Sequence, residues 1–300
     1  MIAMPRLPAV FAAVLACALL SPLAHAEPRL LHSEPSQFGK VLVFEEHGER
    51  CMNFNTMVDF GRQTCMSLDD PHALVFSYTR MMLSALYVRP DPKTILVVGL
   101  GGATLQNTLL RLLPEATIDT VEIDPAVAKV AQAYFGYRTG PRQRVHIADG
   151  RAYIEQAHRE GRQYDMVMLD AFDVDYIPRH LMTLEFLRHV RAILAPGGIV
   201  VANTFTNSRL YASESATYAA VFGPFFNLRE GNRVIVAGRD ALPGLDRIAA
   251  QAKALQGRLQ AQGIYEAGAL GRFAAPIGGP AHAQLLRDPP APEDPPRRAQ

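Results

Sequence analysis

Residues 94–124 read TILVVGLGGATLQNTLLRLLPEATIDTVEID and predict the fold of the domain around them. Residues 95–98 (ILVV) form an apolar run without alternation, as expected of a strand buried on both faces of a parallel sheet. Three glycines then allow a tight turn and a close backbone approach to a ligand: Gly99, Gly101 and Gly102. The leucines that follow recur at helical spacing, so the order is strand, glycine turn and helix.

A second predicted strand, residues 118–123, brings Glu122 and Asp124 to its end, about twenty residues beyond the glycines. A carboxylate there can accept hydrogen bonds from both ribose hydroxyls of a nucleoside. A glycine turn can also be purely structural, but this order of elements favours nucleoside binding. The glycines lack the G-x-G-x-x-G spacing of dinucleotide sites, which favours a smaller ligand such as S-adenosylmethionine.

The rest of the chain predicts an α/β fold with a doubly wound, mostly parallel, seven-stranded Rossmann-like sheet. Residues 27–70 are expected to form a small N-terminal β-hairpin appendage. Residues 71–240 are expected to form the nucleoside-binding domain, which opens with a helix near Pro71 capped by Asp69-Asp70. Residues 241–277 are expected to form a helical extension. The proline-rich residues 278–300 predict a disordered tail.

Residues 1–26 have the layout of a secretory signal: Arg6, an apolar run, and Ala24-His25-Ala26 as the cleavage site. The apolar run is too short for a membrane anchor, which needs about 20 apolar residues. Cys17 also allows a lipoprotein signal, although the residues before it fit that signal poorly. We therefore expect cleavage after Ala26, a periplasmic or secreted protein, and no stable membrane span afterwards.

Composition excludes some classes of partner. The formal net charge is +1, aromatic residues make up 8% and Trp is absent, so the sequence predicts no nucleic-acid partner. Cleavage would leave two cysteines, Cys51 and Cys65, which could form a disulfide in an oxidising compartment or remain two half-buried thiols. No metal site is predicted.

The sharpest chemical signal is an acidic loop after the predicted strand 164–169. It reads Asp170-Ala-Phe-Asp173-Val-Asp175 and is followed by Pro178. Acidic loops are often only solvated, but the strand end places Asp170 in the cleft beside the expected nucleoside. A carboxylate there can take a proton from an attacking amine or hold a cationic substrate.

With these motifs, the sequence resembles the spermidine synthase (polyamine aminopropyltransferase) family, a branch of the class I S-adenosylmethionine-dependent methyltransferase fold. The resemblance covers roughly residues 33–237. It implies that Glu122 holds the ribose, that Asp149, with Gly150 beside it, holds the adenine amino group, and that Asp170 deprotonates the amine. It also implies that Asp173 helps to seat the polyamine and that Tyr78 borders it.

The sequence departs from the family's usual pattern in ways that mark a divergent member, which the signal layout predicts to be exported. The family's glycine loop carries an Asp that contacts the cofactor's primary amine, whereas residues 99–103 (GLGGA) have none. The residue after Tyr78 is Thr79 rather than Gln or His, and the hairpin position usually held by Gln is Gly39.

The leading hypothesis is transfer of an aminopropyl group from decarboxylated S-adenosylmethionine to a polyamine or another amine, with Asp170 as the base. One alternative is a methyltransferase that uses S-adenosylmethionine itself. Another is a non-catalytic exported protein that binds polyamine or nucleoside. The sequence leaves the identity of the acceptor amine open. It also allows the protein to form a homodimer.

Overall fold

The computed structural model describes residues 27–58, 62–172 and 177–289. The signal segment 1–26, Asp173 and residues 290–300 lie outside the described residues, so the predictions for them stay predictions. None of the described helices is both long enough and apolar enough to cross a bilayer.

The described residues form two sheets. The strands are β1 (Arg29–Ser36), β2 (Gly39–Glu46), β3 (Glu49–Phe54), β4 (Thr64–Ser67), β5 (Thr94–Val98), β6 (Thr117–Glu122), β7 (Gln143–Ile147), β8 (Tyr164–Leu169), β9 (Leu194–Phe205), β10 (Phe226–Glu230) and β11 (Asn232–Gly238). The helices are α1 (Ser77–Leu83), α2 (Thr104–Leu112), α3 (Pro125–Tyr134), α4 (Gly150–Arg159), α5 (Leu184–Ala192), α6 (Tyr211–Phe222), α7 (Leu245–Gln260) and α8 (Glu266–Leu270). Short 3₁₀ helices span Ser84–Tyr87 and Arg179–Leu181.

The large sheet confirms the predicted fold class. Its seven strands lie in the order β10-β11-β9-β8-β5-β6-β7. Strands β9, β8, β5, β6 and β7 pair in parallel, whereas β11 is antiparallel to both β9 and β10. The chain winds outward from β5 to β7 and then returns to place β8 on the other side of β5. Ligands bind at such a switch point, outside the carboxyl ends of the strands.

Helices cover both faces of this sheet, which explains the unbroken apolar runs. In β5, Ile95 and Val97 join a core with α1, α2 and α7, while Leu96 and Val98 join a core with α4, α5 and α6. A strand buried on both faces cannot alternate apolar and polar residues. The same arrangement fixes the ends of β5 and β8 rigidly against each other.

The N-terminal appendage is larger than the predicted hairpin. Strands β2 and β3 form that hairpin, but β1 and β4 extend it to a four-stranded antiparallel sheet. These outer strands carry little pattern of their own, because β1 has no fully buried residue and β4 is only four residues long. Register partners Cys51 and Cys65 form a disulfide, with Cα atoms 4.1 Å apart, which decides between the two options for the cysteines.

The first helix starts later than the prediction near Pro71. Residue Asp70 does not cap a helix; its carboxylate accepts the His72 N–H at 3.0 Å in a local turn. Helix α1 begins at Ser77, after Phe76 in an extended conformation. Acidic residues before an apolar segment serve local turns as readily as helix caps, so the sequence alone misplaces the start.

The segment 278–289 is ordered, contrary to the predicted disordered tail from residue 278. Leu286 is buried, its N–H donates to Thr217 Oγ1 at 2.9 Å, and its carbonyl accepts the Leu184 N–H at 2.7 Å. Gly279 lies so close to α6 that a Cβ would stand 2.4 Å from the Cα of Ala216. A few well-placed anchors order this segment despite its proline-rich composition.

Candidate active site

A cleft opens at the carboxyl edge of the large sheet, at the switch point between β5 and β8. It holds about 1180 Å³ of empty space, counted with its open mouth. Every predicted site residue that the structure describes lines this cleft: Tyr78, Gly99, Gly101, Gly102, Glu122, Asp124, Asp149, Gly150 and Asp170. Asp173 lies outside the described residues, so its contact with an amine stays a prediction.

The glycine turn joins β5 to α2 and brings two strand ends together. Gly99 has a φ of 102°, and a Cβ there would stand 2.2 Å from the carbonyl oxygen of Asp170. The Asp170 N–H in turn donates to the Val98 carbonyl at 2.9 Å. A side chain at Gly99 would force β5 and β8 apart, so this glycine is required by the packing of the cleft floor.

Two more glycines allow neighbouring elements to close the cleft walls. A Cβ on Gly102 would stand 2.6 Å from the methyl group of Thr64, which places β4 of the N-terminal sheet directly on the glycine turn. A Cβ on Gly150 would stand 2.5 Å from Val98, which lets the start of α4 pack on β5. The N-terminal sheet is therefore one wall of the cleft, a role that the sequence did not indicate.

Glu122 lies buried at the end of β6. One carboxylate oxygen accepts the Leu100 N–H and the other accepts the Asp124 N–H, each at 3.0 Å. Burial and the nearby Asp124 carboxylate raise the pKa of Glu122, although these backbone hydrogen bonds oppose the rise. A third backbone hydrogen bond, from Ile123, also reaches this carboxylate. A carboxylate has about four acceptor sites, so Glu122 can still accept from a ribose hydroxyl.

Asp124 lines the same wall, but both of its carboxylate oxygens already have partners. One accepts the Ala126 N–H at 2.9 Å and so caps α3, and the other accepts the Ser36 hydroxyl. Only 1% of Asp124 is exposed. The structure thus gives Asp124 a capping role, and its predicted contact with the cofactor stays a prediction.

Asp149 caps α4 just beyond β7, the strand next to the one that ends in Glu122. It accepts the Ala152 N–H at 2.9 Å, and its other oxygen lies 2.9 Å from Nε2 of His180. Partial burial opposes ionisation, but these hydrogen bonds outweigh it and lower the pKa of Asp149. Asp149 is therefore an anionic acceptor at this end of the cleft, as a base amino group would need.

Asp170 stands at the end of β8 between two donors. The Asn203 side-chain amide donates to it at 2.9 Å, and Tyr78 hydrogen bonds to it from α1. Burial raises the pKa of Asp170 to about 6, and both hydrogen bonds limit the rise. Burial and the carboxylate also raise the pKa of Tyr78 well above its ordinary value, so Tyr78 stays protonated as a donor. A carboxylate with such a pKa can accept a proton at neutral pH.

Several residues of the cleft escaped the sequence analysis. Asn203 lies near the carboxyl end of β9, the strand beside β8, and the rule that parallel strands end at one edge could have identified it. His180 lies in a 3₁₀ helix and Thr64 in a short edge strand, and no sequence motif marks either residue. Phe172 packs edge-on against Phe205, 5.2 Å between ring centroids, and holds the start of the acidic loop.

The described residues contain one grouping with metal-ligand character, formed by Glu49, Cys51 and Cys65. It lies in the N-terminal sheet, and its two sulfur atoms are joined in the disulfide. The cysteines therefore offer no thiolates to a metal while the bridge is intact.

Known proteins are similar to this chain in both sequence and fold. The spermine/spermidine synthase domain family matches residues 75–224. A polyamine aminopropyltransferase from Vibrio vulnificus (strain CMCP6) is 41% identical over 259 residues, covering 84% of this chain and 86% of that protein.

Two solved structures share the fold. A probable spermidine synthase from Corynebacterium glutamicum ATCC 13032 superposes with a TM-score of 0.67 at 20% identity, covering 87% of this chain and 96% of that one. Human Methyltransferase-like protein 13, in complex with SAH, gives a TM-score of 0.57 at 29% identity, covering 62% of this chain and 93% of that one. This chain belongs to the spermine/spermidine synthase family.

Proposed function

We propose that the protein is a polyamine aminopropyltransferase, an enzyme that moves an aminopropyl group from decarboxylated S-adenosylmethionine to an amine of a polyamine. The observation that carries this proposal is the position of Asp170. Its carboxylate, with a pKa of about 6, stands at the switch point of the sheet, in the same cleft as Glu122 and Asp149. The family and the aminopropyltransferase relative support the same reaction.

The cofactor supplies an electrophilic methylene carbon next to its sulfonium. The amine nitrogen attacks this carbon, so a C–N bond forms while the C–S bond breaks and its electron pair stays on sulfur. Asp170 accepts the proton that the amine loses, and methylthioadenosine leaves. Glu122 would hold the ribose and Asp149 the base, while Tyr78 and Asn203 keep the Asp170 carboxylate in place.

A methyltransferase is a second candidate because of the glycine turn. A carboxylate in this turn would attract the primary ammonium of decarboxylated S-adenosylmethionine and repel the carboxylate of the parent compound. Here residues 99–103 (GLGGA) hold no carboxylate, and the turn ends in Ala103, the residue before α2, with a φ of 58°. The likeness to Methyltransferase-like protein 13 supports the same candidate.

One assay tests both candidates. The purified protein is incubated with either cofactor and with putrescine or spermidine, and the products are identified by mass spectrometry. We expect methylthioadenosine and a lengthened polyamine only with decarboxylated S-adenosylmethionine. S-adenosylhomocysteine formed from the parent cofactor would favour the methyltransferase. Polyamine or nucleoside binding without any product would favour a non-catalytic binding protein. Asp170→Asn is the matched inactive control.

We further propose that the protein is exported and begins at Glu27. The signal layout of residues 1–26 supports this, and the Cys51–Cys65 disulfide is typical of an oxidising compartment. Mass spectrometry of protein from its native host should find Glu27 at the N-terminus. An intact Met1 or a lipid on Cys17 would contradict the proposal.

A further inference from the structure

The last described segment of the chain packs beside the cleft. We call residues 284–289 the C-terminal strap. Leu286 anchors it between α5 and α6 through the hydrogen bonds with Leu184 and Thr217. The Asp288 N–H then donates to the Glu185 carboxylate at 3.0 Å. The strap is thus attached to the helices on one face of the sheet.

Asp288 extends this attachment to α4. Its two carboxylate oxygens accept from the two terminal nitrogens of Arg151 at 2.7 and 2.6 Å. The side chains of Arg151 and Asp288 are only 20% and 29% exposed. A bidentate, partly buried salt bridge of this kind fixes the orientation of the guanidinium as well as its distance from the carboxylate, unlike an ordinary surface ion pair.

Arg151 also reaches the 3₁₀ helix that carries His180. Its Nη1, one of the two nitrogens on Asp288, donates to the His180 carbonyl at 3.3 Å and to Thr183 Oγ1 at 3.4 Å. His180 in turn places its Nε2 at 2.9 Å from Asp149. Hydrogen bonds, with His180 as the bridging residue, therefore connect the strap to the Asp149 carboxylate in the cleft.

We propose that the C-terminal strap is a positioning element for the base-binding end of the cofactor site. Asp288 orients Arg151, and Arg151 positions the 3₁₀ helix that carries His180. His180 therefore keeps its hydrogen bond to Asp149, which fixes the orientation of that carboxylate. This inference rests on the proposed function, because it takes Asp149 as the residue that receives the base. Small displacements of such a group are enough to weaken binding.

The test measures the affinity for the nucleoside and the KM for the amine separately. Asp288→Asn in the full chain should raise the Kd for methylthioadenosine and the KM for the cofactor together, by roughly three- to tenfold. The amine KM and kcat should stay near wild type. Asp288→Glu should restore most of the affinity. Combining Asp288→Asn with Arg151→Met should cost no more than Arg151→Met alone, because both changes break the same connection.

Arg287→Ala is the matched control. Arg287 lies in the same strap but pairs only loosely with Glu185, at 3.5 Å, and its side chain is 58% exposed. It should leave the cofactor KM unchanged. A folded Asp288→Asn protein with wild-type cofactor affinity would overturn the proposal. So would an equal rise of cofactor and amine KM, which indicates general loosening.

A measurement on the unmodified protein covers the case in which the variants fold poorly. Because coupling between two sites is reciprocal, methylthioadenosine should slow hydrogen exchange in residues 284–289. Nucleoside binding without this protection would overturn the strap proposal alone. A wild-type protein that binds no nucleoside would overturn the proposed function, and the strap proposal with it.

Discussion

The Asn203 side chain donates a 2.9 Å hydrogen bond to Asp170 and so links the ends of two neighbouring strands. Its own carbonyl oxygen accepts from the Asn232 side-chain amide at 3.1 Å. Because that oxygen is engaged by Asn232, the NH₂ group of Asn203 faces Asp170. The orientation of one amide therefore stabilises the ionised form of the candidate base.

Asp170→Asn should separate binding from chemistry. The substitution keeps the shape but removes the charge and the proton acceptor, so turnover should fall by roughly 10²–10⁴-fold while nucleoside affinity stays near wild type. In the wild type, turnover should rise with pH through about 6, where Asp170 ionises. A variant with full turnover would contradict the assignment of Asp170 as base.

The same substitution should affect stability in a pH-dependent way. The pKa of Asp170 is raised from its ordinary 3.8 to about 6, so its contribution to stability is complete below pH 3.8 and is lost as pH rises through 6. Asp170→Asn should therefore gain stability relative to wild type as pH rises across this window. Thermal unfolding at pH 4 and pH 8 provides the comparison.

Asn203→Ala should shift the pH profile rather than abolish activity. Losing the hydrogen bond that stabilises the carboxylate raises the pKa of Asp170, so the acidic limb should move up by roughly half to one pH unit. Rates measured from pH 5 to 9 give the shift. An unchanged profile with a lower maximum would mean that Asn203 only supports the fold.

Glu122→Gln should weaken nucleoside binding whichever group is transferred. It removes a charged acceptor from the ribose position, at a cost of roughly 1.5–3 kcal/mol in binding free energy. Calorimetry with methylthioadenosine measures the loss, and Glu115→Gln, an exposed carboxylate paired with Lys93, is the control. Equal affinity in the Glu122 variant would leave the glycine turn with a structural role alone.

Removing the disulfide should affect both stability and the cleft. Cys51→Ser with Cys65→Ser opens a loop whose ends are 14 residues apart in sequence. The chain-entropy model gives a loss of about 3 kcal/mol in the free energy of unfolding. Nucleoside affinity should also fall, because Cys65 adjoins Thr64 on the glycine turn. Peptide mapping that finds both thiols unpaired in native material would contradict the bridge.

Arg233→Met should destabilise the protein by about 3–5 kcal/mol. Arg233 is fully buried, pairs with Glu214 at 3.0 Å and stacks 3.9 Å from the Tyr211 ring centroid. Burial already raises the pKa of Glu214 to about 7, and without Arg233 it should rise further. Denaturant unfolding should therefore show a deficit that shrinks from pH 8 to pH 5.

Two further variants check that prediction. Glu214→Gln added to Arg233→Met should recover much of the loss, because no uncompensated charge remains buried. Arg229→Ala removes an exposed arginine near the same tyrosine and should leave stability almost unchanged. A deficit of the same size at every pH would rule out the buried carboxylate as its cause.

The sequence by itself determined the elements and the edge where the chemistry lies. The apolar run that precedes Gly99 indicates a strand buried on both faces, and the spacing of leucines after it indicates a helix. Parallel strands release their carboxyl ends at one edge, so the sequence alone assigns Glu122, Asp149 and Asp170 to one cleft. These are local patterns, or consequences of one rule of sheet topology.

Only the tertiary structure decided which distant side chains meet there. Three hydrogen bonds join residues between 31 and 40 positions apart: Asn203 with Asp170, His180 with Asp149, and Thr64 with Thr104. Asp288 of the strap lies 137 residues from Arg151, and no local pattern announces their contact. Hydrogen-bond partners and desolvation depend on how whole elements pack, whereas periodicity reports only how one element meets its core. The raised pKa of Asp170 is therefore a property of the packed cleft rather than of the acidic loop.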